Sequence, residues 1–118
     1  MRNVLFSLIV LFVAACPVWG EEGVNSDDVR AGHRLAILVC ANCHVAAADQ
    51  PSEPILQPPA SSFESIAQRK SVNADWLQDF MKTTHRGLDN PKGMPNPELL
   101  DLQIKQVSDY LLSLRKNP

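Results

Sequence analysis

The five residues Cys40-Ala41-Asn42-Cys43-His44 form a C-x-x-C-H motif, and this motif decides how the rest of the 118-residue chain is interpreted. Two thiols about one helical turn apart can each add to a vinyl group of the same porphyrin. The imidazole that follows is then placed beneath the iron as its proximal ligand. The motif therefore predicts one covalent haem c, attached at Cys40 and Cys43 and ligated by His44.

The same thiols have two other uses in proteins. A redox-active C-x-x-C belongs in a strand-rich βαβ context, and a structural zinc site needs a second pair of ligands. The chain has only one further cysteine, Cys16, and His33 and His85 do not form an H-x(3-5)-H pair. Haem attachment is therefore the favoured interpretation.

The N-terminus has the pattern of an export signal. Arg2 supplies a positive start, Val4–Ala15 is a short apolar run, and small or tolerated residues precede a cut after Gly20. The run is too short to span a bilayer comfortably as a helix. We therefore expect a cleaved signal peptide over residues 1–20 and one mature domain over residues 21–118, located in a bacterial periplasm.

A lipid anchor is the alternative for this end of the chain. Val13-Ala14-Ala15-Cys16 resembles a bacterial lipobox, in which the cysteine is acylated and becomes the new N-terminus, although Pro17 directly follows it. Cleavage at the end of the signal instead removes Cys16 and leaves Cys40 and Cys43 as the only thiols, which suits an oxidising compartment. We expect membrane contact only if Cys16 is acylated or the signal is retained.

Composition excludes some function classes. The mature chain would carry ten Lys and Arg residues against thirteen Asp and Glu residues, a net charge of −3. A negative balance disfavours nucleic acid as a partner. The chain shows no arrangement of nucleophile and base, no phosphate-binding loop and no surplus cluster of metal ligands, so we do not expect an independent enzyme.

The spacing of apolar residues predicts helices and no strands. Two irregular segments interrupt them, one rich in proline after the motif and one around Gly93–Pro97. No segment alternates long enough for a strand, and no internal repeat is present. These patterns predict an all-α domain with long loops, its helices beginning at a cap at Ser26 or Asp27, at Ser61 or Ser62, at Asn73 and near Asp101.

The residue opposite His44 decides what the haem can do. Met81 lies on a helical face, where methionine usually fills the core, whereas Met94 lies in a proline-stiffened loop that can present its sulfur at little entropic cost. His85 is a rival imidazole nine residues before Met94, and an open or water-bound site is a third possibility. A thioether at this position raises the potential and favours electron transfer.

Three pieces of the chain, taken in order, resemble the class I cytochrome c family. The resemblance covers most of the mature chain and implies a helical fold in which the first and last helices cross near Gly32 and Tyr110. It also implies His44 and Met94 as axial ligands. The matching pieces are Ala31–Leu35 with the C-x-x-C-H motif, Gly93-Met94-Pro95-Asn96 and Val107–Leu114.

The resemblance implies roles for three further side chains or carbonyls. A proline carbonyl usually supports the ligand imidazole; Pro58 and Pro59 both fit that place, and we favour Pro59. Trp76 would donate its indole N–H to a haem propionate, with a core aromatic as the alternative. Arg69 would pair with a propionate or remain a solvated cation.

Together these patterns predict an exported monomer that carries single electrons between a donor and an acceptor protein. The first alternative is a haem-based gas-binding or sensor module with an open sixth coordination site. The second is an electron-accepting subunit of a larger dehydrogenase or oxidase complex, in which the carrier chemistry is the same but the partner is fixed.

Overall fold

Four α-helices, joined by two long irregular segments, make up the part of the chain that the structure, a computed structural model, describes: residues 25–87 and 89–116. A π-helical turn, Ala36–Cys40, continues the first helix. Within these ranges the structure has no β-strand, and its one isolated β-bridge joins His44 to Ala60. The prediction of an all-α domain is confirmed. The helices are α1 (Ser26–Leu35), α2 (Phe63–Ala67), α3 (Ala74–Met81) and α4 (Asp101–Ser113).

The predicted export signal over residues 1–20, with Cys16, lies outside the described residues. Among the helices of the described ranges, none is long and apolar enough to cross a membrane.

The N-termini of α2 and α3 are capped by side chains that the sequence indicated. The hydroxyl of Ser62 accepts a hydrogen bond from the Ser65 N–H at 3.2 Å. The Asn73 side chain accepts one from the Trp76 N–H at 2.8 Å. Each cap satisfies one of the N–H groups that a helix start leaves without an internal partner.

The starts of α1 and α4 differ from expectation. Asn25, one residue before the predicted caps, caps α1 by accepting a hydrogen bond from the Asp27 N–H at 2.9 Å. Asp101 is the first residue of α4 and not its cap. The N-cap position is taken by Leu100, which donates its N–H to the Gln103 side chain at 2.9 Å. The side chain of a first-turn residue therefore satisfies the N–H of the N-cap residue.

Helices α1 and α4 cross in close contact, where Gly32 packs against the α4 backbone. A Cβ at Gly32 would overlap the Gln106 carbonyl oxygen and lie 2.9 Å from the Tyr110 Cβ. Glycine costs about 1 kcal/mol relative to alanine inside a helix, and here its missing side chain admits the neighbouring helix. Beside the crossing, Asp28 pairs with the Lys105 ammonium at 3.0 Å, and this hydrogen bond holds the pKa of Asp28 below its ordinary value.

The end of α4 is tied to α2. The Arg115 guanidinium, just beyond the end of α4, donates to the carbonyl of Ala67 at 2.8 Å and to that of Val72. Ala67 is the last residue of α2, so the cation satisfies a carbonyl that lacks an intrahelical partner. Lys116 adds a pair with Glu64 at 2.6 Å.

A single apolar core is shared by all four helices. Ile104, Val107 and Leu111 of α4 face Ala67 of α2 and Leu77 of α3, and all five are buried. Ser108 is fully buried among them, and its hydroxyl is satisfied by the Ile104 carbonyl at 2.8 Å. Leu77, Val107 and Leu111 of this core also line an open crevice.

The variant Gly32→Ala should lose about 1–3 kcal/mol of unfolding free energy, because the added methyl group overlaps the rigid Gln106 backbone at the helix crossing. Guanidinium unfolding of the mature protein, followed by circular dichroism, measures the loss. Gly87→Ala is the matched control, since a Cβ there meets only the tip of the Asp89 side chain. Equal stabilities of the two variants would contradict the close packing of α1 on α4.

Candidate functional site: an apolar crevice behind the C-x-x-C-H motif

A crevice of about 320 Å³ opens between the motif, α3, the Met94 loop and α4. Most of its wall is apolar, and a few cations lie along it. The crevice contains every residue that the sequence predicted as an attachment site or iron ligand. Its lining includes Val39, Cys40, Cys43, His44, Leu56, Ser61, Phe63, Ile66, Arg69, Trp76, Leu77, Phe80, Met81, Arg86, Lys92, Gly93, Met94, Pro95, Val107 and Leu111.

The two motif cysteines are placed by a tight turn at the end of the π-helical segment. The N–H groups of Cys43 and His44 both donate to the Cys40 carbonyl, at 3.1 Å and 2.9 Å. Burial, and to a lesser extent the neighbouring Cys43, raises the pKa of the Cys40 thiol to about 11. A redox-active C-x-x-C has a lowered thiol pKa, so this environment disfavours that use of the motif.

The imidazole of His44 is held by a carbonyl, as predicted, but not by that of Pro59. Its Nδ1 lies 2.7 Å from the carbonyl oxygen of Ser61. A carbonyl can only accept a hydrogen bond, so Nδ1 is the donor, and in the neutral imidazole Nε2 then carries the lone pair that a metal requires. The prediction of Pro59 as the acceptor is wrong by two residues.

The path of the backbone explains this difference. The N–H of Ala60 donates to the Cys43 carbonyl at 2.8 Å, and the N–H of Phe63 donates to the Val45 carbonyl at 3.0 Å. These bonds pair residues 60–63 with the end of the motif and place the Ser61 carbonyl beside the His44 imidazole. Pro59 precedes the paired region and is exposed.

Aromatic rings fix the back of the motif. Phe63, buried on α2, meets the His44 ring edge-on at 5.6 Å. The hydroxyl of Tyr110 on α4 donates to the Ala46 carbonyl at 3.1 Å, and burial raises the pKa of this phenol, which keeps the donor protonated. Both contacts hold His44 and the residues that follow it against the core.

A second tie joins the loop after the motif to α1. The Nε2 of His33 lies 2.7 Å from an Asp49 carboxylate oxygen, and this hydrogen bond lowers the pKa of Asp49. The His33 ring also meets Tyr110 edge-on at 5.0 Å. The start of the loop after the motif is therefore fixed to α1.

Both methionines of the described ranges line the crevice, in different settings. Met81, on α3, is 6% exposed and belongs to the apolar core. Met94 is half-buried in the loop, where its carbonyl accepts the His85 N–H at 2.7 Å. Gly93 beside it packs so closely on the His85 carbonyl that a Cβ would overlap that oxygen.

The rival imidazole of His85 does not line the crevice. Its ring stacks on Phe80 with centroids 3.8 Å apart, and its Nε2 lies 3.0 Å from the Phe80 carbonyl. This placement puts His85 at the C-terminal end of α3.

Trp76 and Arg69 both lie at the crevice. Trp76 is 39% exposed and stacks on Phe80 at 4.8 Å, so it is a wall residue rather than a fully buried core aromatic. The Arg69 guanidinium donates to the Ser61 hydroxyl at 2.8 Å, next to the carbonyl that holds His44.

Sequence reasoning missed Ser61 as the imidazole acceptor and missed Arg86 and Lys92 as crevice residues. Any residue can supply a carbonyl, so no side-chain pattern could have identified Ser61. The two cations were visible as a positive bias in the second half of the chain, but their position depends on how the Met94 loop folds back.

The crevice suits a covalently attached haem. Two thiols lie at its wall, an imidazole Nε2 retains its lone pair, a thioether lies in its lining, and the remaining surface is largely apolar. A structural zinc ion needs four protein ligands. The described residues contain no group of three or more His, Cys, Asp or Glu side chains that could hold a metal, so iron in a porphyrin fits the site better than zinc.

Comparison with known proteins agrees with this geometry. The model of the cytochrome c family matches residues 29–115, a range that contains the motif, all four helices except the first turn of α1, and the Met94 loop. No curated protein and no solved structure gives a significant match to the chain. This chain belongs to the cytochrome c family.

Proposed function

We propose that the mature chain is a small exported carrier of single electrons whose haem iron is held by His44 and Met94. Membership of the family establishes the coarser part: a covalently bound haem c and the electron-carrier class of protein. The observation that carries the finer part is that two residues fifty positions apart, an oriented imidazole and a loop thioether, line one crevice.

The bound haem would supply the one-electron couple of its iron. The chain's own residues would keep the ligand set unchanged during transfer. The Ser61 carbonyl orients the imidazole of His44 and raises its basicity through the Nδ1 proton. The apolar walls limit water at the iron, and a thioether ligand favours the reduced state, so the potential is raised.

The proposal extends to location and partners. Export rests on the pattern of residues 1–20, and the mature domain would span residues 21–118. The partners would be one donor and one acceptor protein, with no nucleic acid. The chain would act as a monomer and not as an independent enzyme, and would touch a membrane only through an acylated Cys16 or a retained signal.

The ligand assignment predicts a difference between two matched variants. Met94→Leu should open the iron, so that carbon monoxide shifts the ferrous absorption spectrum and the potential falls by on the order of 100 mV, within the roughly 0.8 V range that axial ligands set. Met81→Leu, which preserves volume in the core, should leave both properties close to those of the wild type.

The wild-type protein gives the reference for these measurements. If carbon monoxide leaves its ferrous spectrum unchanged, the six-coordinate carrier is supported. A shift in the wild type would favour the gas-binding alternative with an open sixth site. An effect of Met81→Leu without one of Met94→Leu would move the thioether ligand to Met81. Stoichiometric co-purification with a dehydrogenase or oxidase would instead favour the fixed-subunit alternative.

For Trp76 we propose that its indole N–H donates to a haem propionate, since its ring lies in the crevice wall. Trp76→Phe keeps an aromatic ring that can stack on Phe80 and removes the N–H donor. A carboxylate that loses a hydrogen bond has a higher pKa, so the pH-dependent part of the potential should move to higher pH. Potentiometry from pH 4 to pH 9 measures the change; identical curves would leave Trp76 a packing residue.

The N-terminus can be settled by the mass of the mature protein purified from an exporting bacterium. Cleavage after Gly20 predicts a chain of residues 21–118 carrying one haem. A chain that begins at Cys16 with added acyl mass would show lipid anchoring, and retention of residues 1–20 would show an uncleaved anchor. The Cys16→Ser variant is the control, because it abolishes only the acylated form.

A further inference from the structure

His85 joins the Met94 loop to the preceding segment through its main chain. Its N–H donates to the Met94 carbonyl at 2.7 Å, and its carbonyl accepts from the Asn90 side chain at 3.0 Å. Gly93 packs directly against the same carbonyl. The backbone before and after the Met94 Cα is therefore held by contacts with His85.

The side chain of His85 is in turn fixed to α3. Its ring lies flat on Phe80, with centroids 3.8 Å apart and planes at 11°. Because the Phe80 carbonyl, 3.0 Å away, can only accept, Nε2–H of His85 is the donor. Phe80 belongs to the last turn of α3, whose carbonyls lack intrahelical partners, so the ring also caps the helix.

The His85 ring packs on a residue of the crevice wall. Phe80 and Trp76 both line the crevice, and their rings stack at 4.8 Å with planes at 20°. His85 itself is half-buried behind that wall. The three rings form a continuous stack that starts in the crevice and ends at His85, whose N–H is hydrogen-bonded to the Met94 carbonyl.

We propose that His85 is a positioning residue for Met94: its side chain anchors to the crevice wall of α3, and its main chain fixes the backbone that carries the sulfur. The inference rests on the proposed function, because it takes Met94 as the iron ligand. Without the ring, the segment before Met94 would lose this stacking contact and hydrogen bond to Phe80 of α3. The sulfur then leaves the iron more often, and an external ligand competes more easily.

Imidazole binding to the ferric, haem-loaded protein tests this in a buffer about two pH units above the pKa of the probe, where imidazole is neutral and insensitive to the cations along the crevice. In His85→Ala the dissociation constant for imidazole should fall about five- to tenfold, as a hydrogen bond and a ring stack are lost. His85→Phe retains the stack and should show a smaller fall. Thr84→Ala, an exposed neighbour whose hydroxyl makes only contacts of 3.3–3.5 Å, should match the wild type.

The same titration in the Met94→Leu background separates positioning from general weakening of the fold. Once no sulfur has to be displaced, adding His85→Ala should change imidazole affinity less than twofold. A further fall of several-fold in that background would overturn the inference. The His85→Phe variants provide the same comparison if His85→Ala does not fold.

Failure of the inference and failure of the proposed function give different results. If Met94→Leu tightens imidazole binding and His85→Ala does not, Met94 remains the ligand and His85 has no positioning role. If His85→Ala tightens binding and Met94→Leu has no effect, both are wrong, and the imidazole of His85 becomes the candidate ligand. If neither variant tightens binding, Met94 is not the ligand and both proposals fail.

Discussion

The crossing of α1 and α4 at Gly32 is the contact on which the rest of the structure depends. Because the Gln106 backbone lies where a Cβ of Gly32 would be, the two helices approach closely enough to share one core. The motif follows α1 through the π-helical turn, so the crossing also sets where Cys40 and His44 lie. From α4, Tyr110 reaches across to the Ala46 carbonyl and holds the next part of the chain.

Both residues proposed to bind the iron lie in irregular segments of the chain. Hydrogen bonds and ring contacts with neighbouring residues fix these segments. On one side the Ser61 carbonyl orients His44, with Phe63 packed against the ring. On the other side His85 is bonded to Met94 and stacked on the crevice wall. The helices supply a rigid frame, and a small number of hydrogen bonds transmit that rigidity to the loops, as a centre with little rearrangement between oxidation states requires.

Local signals in the sequence were reliable where the interaction is local. The Asn73 cap lies three residues from the N–H it accepts, and the C-x-x-C-H spacing needs only one turn of chain. Met94 stood out because prolines limit the conformations of its loop. Some contacts between distant segments had no such local signal: Arg115 satisfies a carbonyl 48 residues away on α2.

By itself, the sequence determined the all-α class and predicted the cofactor attachment sites and the proximal ligand, because those predictions need only spacing and residue type. Only the tertiary structure decided that Ser61 and not Pro59 holds His44, that His85 turns away from the crevice, and that Trp76 lines it. The physical reason is that each of these depends on how two distant segments lie together. That alignment is set by main-chain hydrogen bonds and by core packing, which leave no signature at a single position.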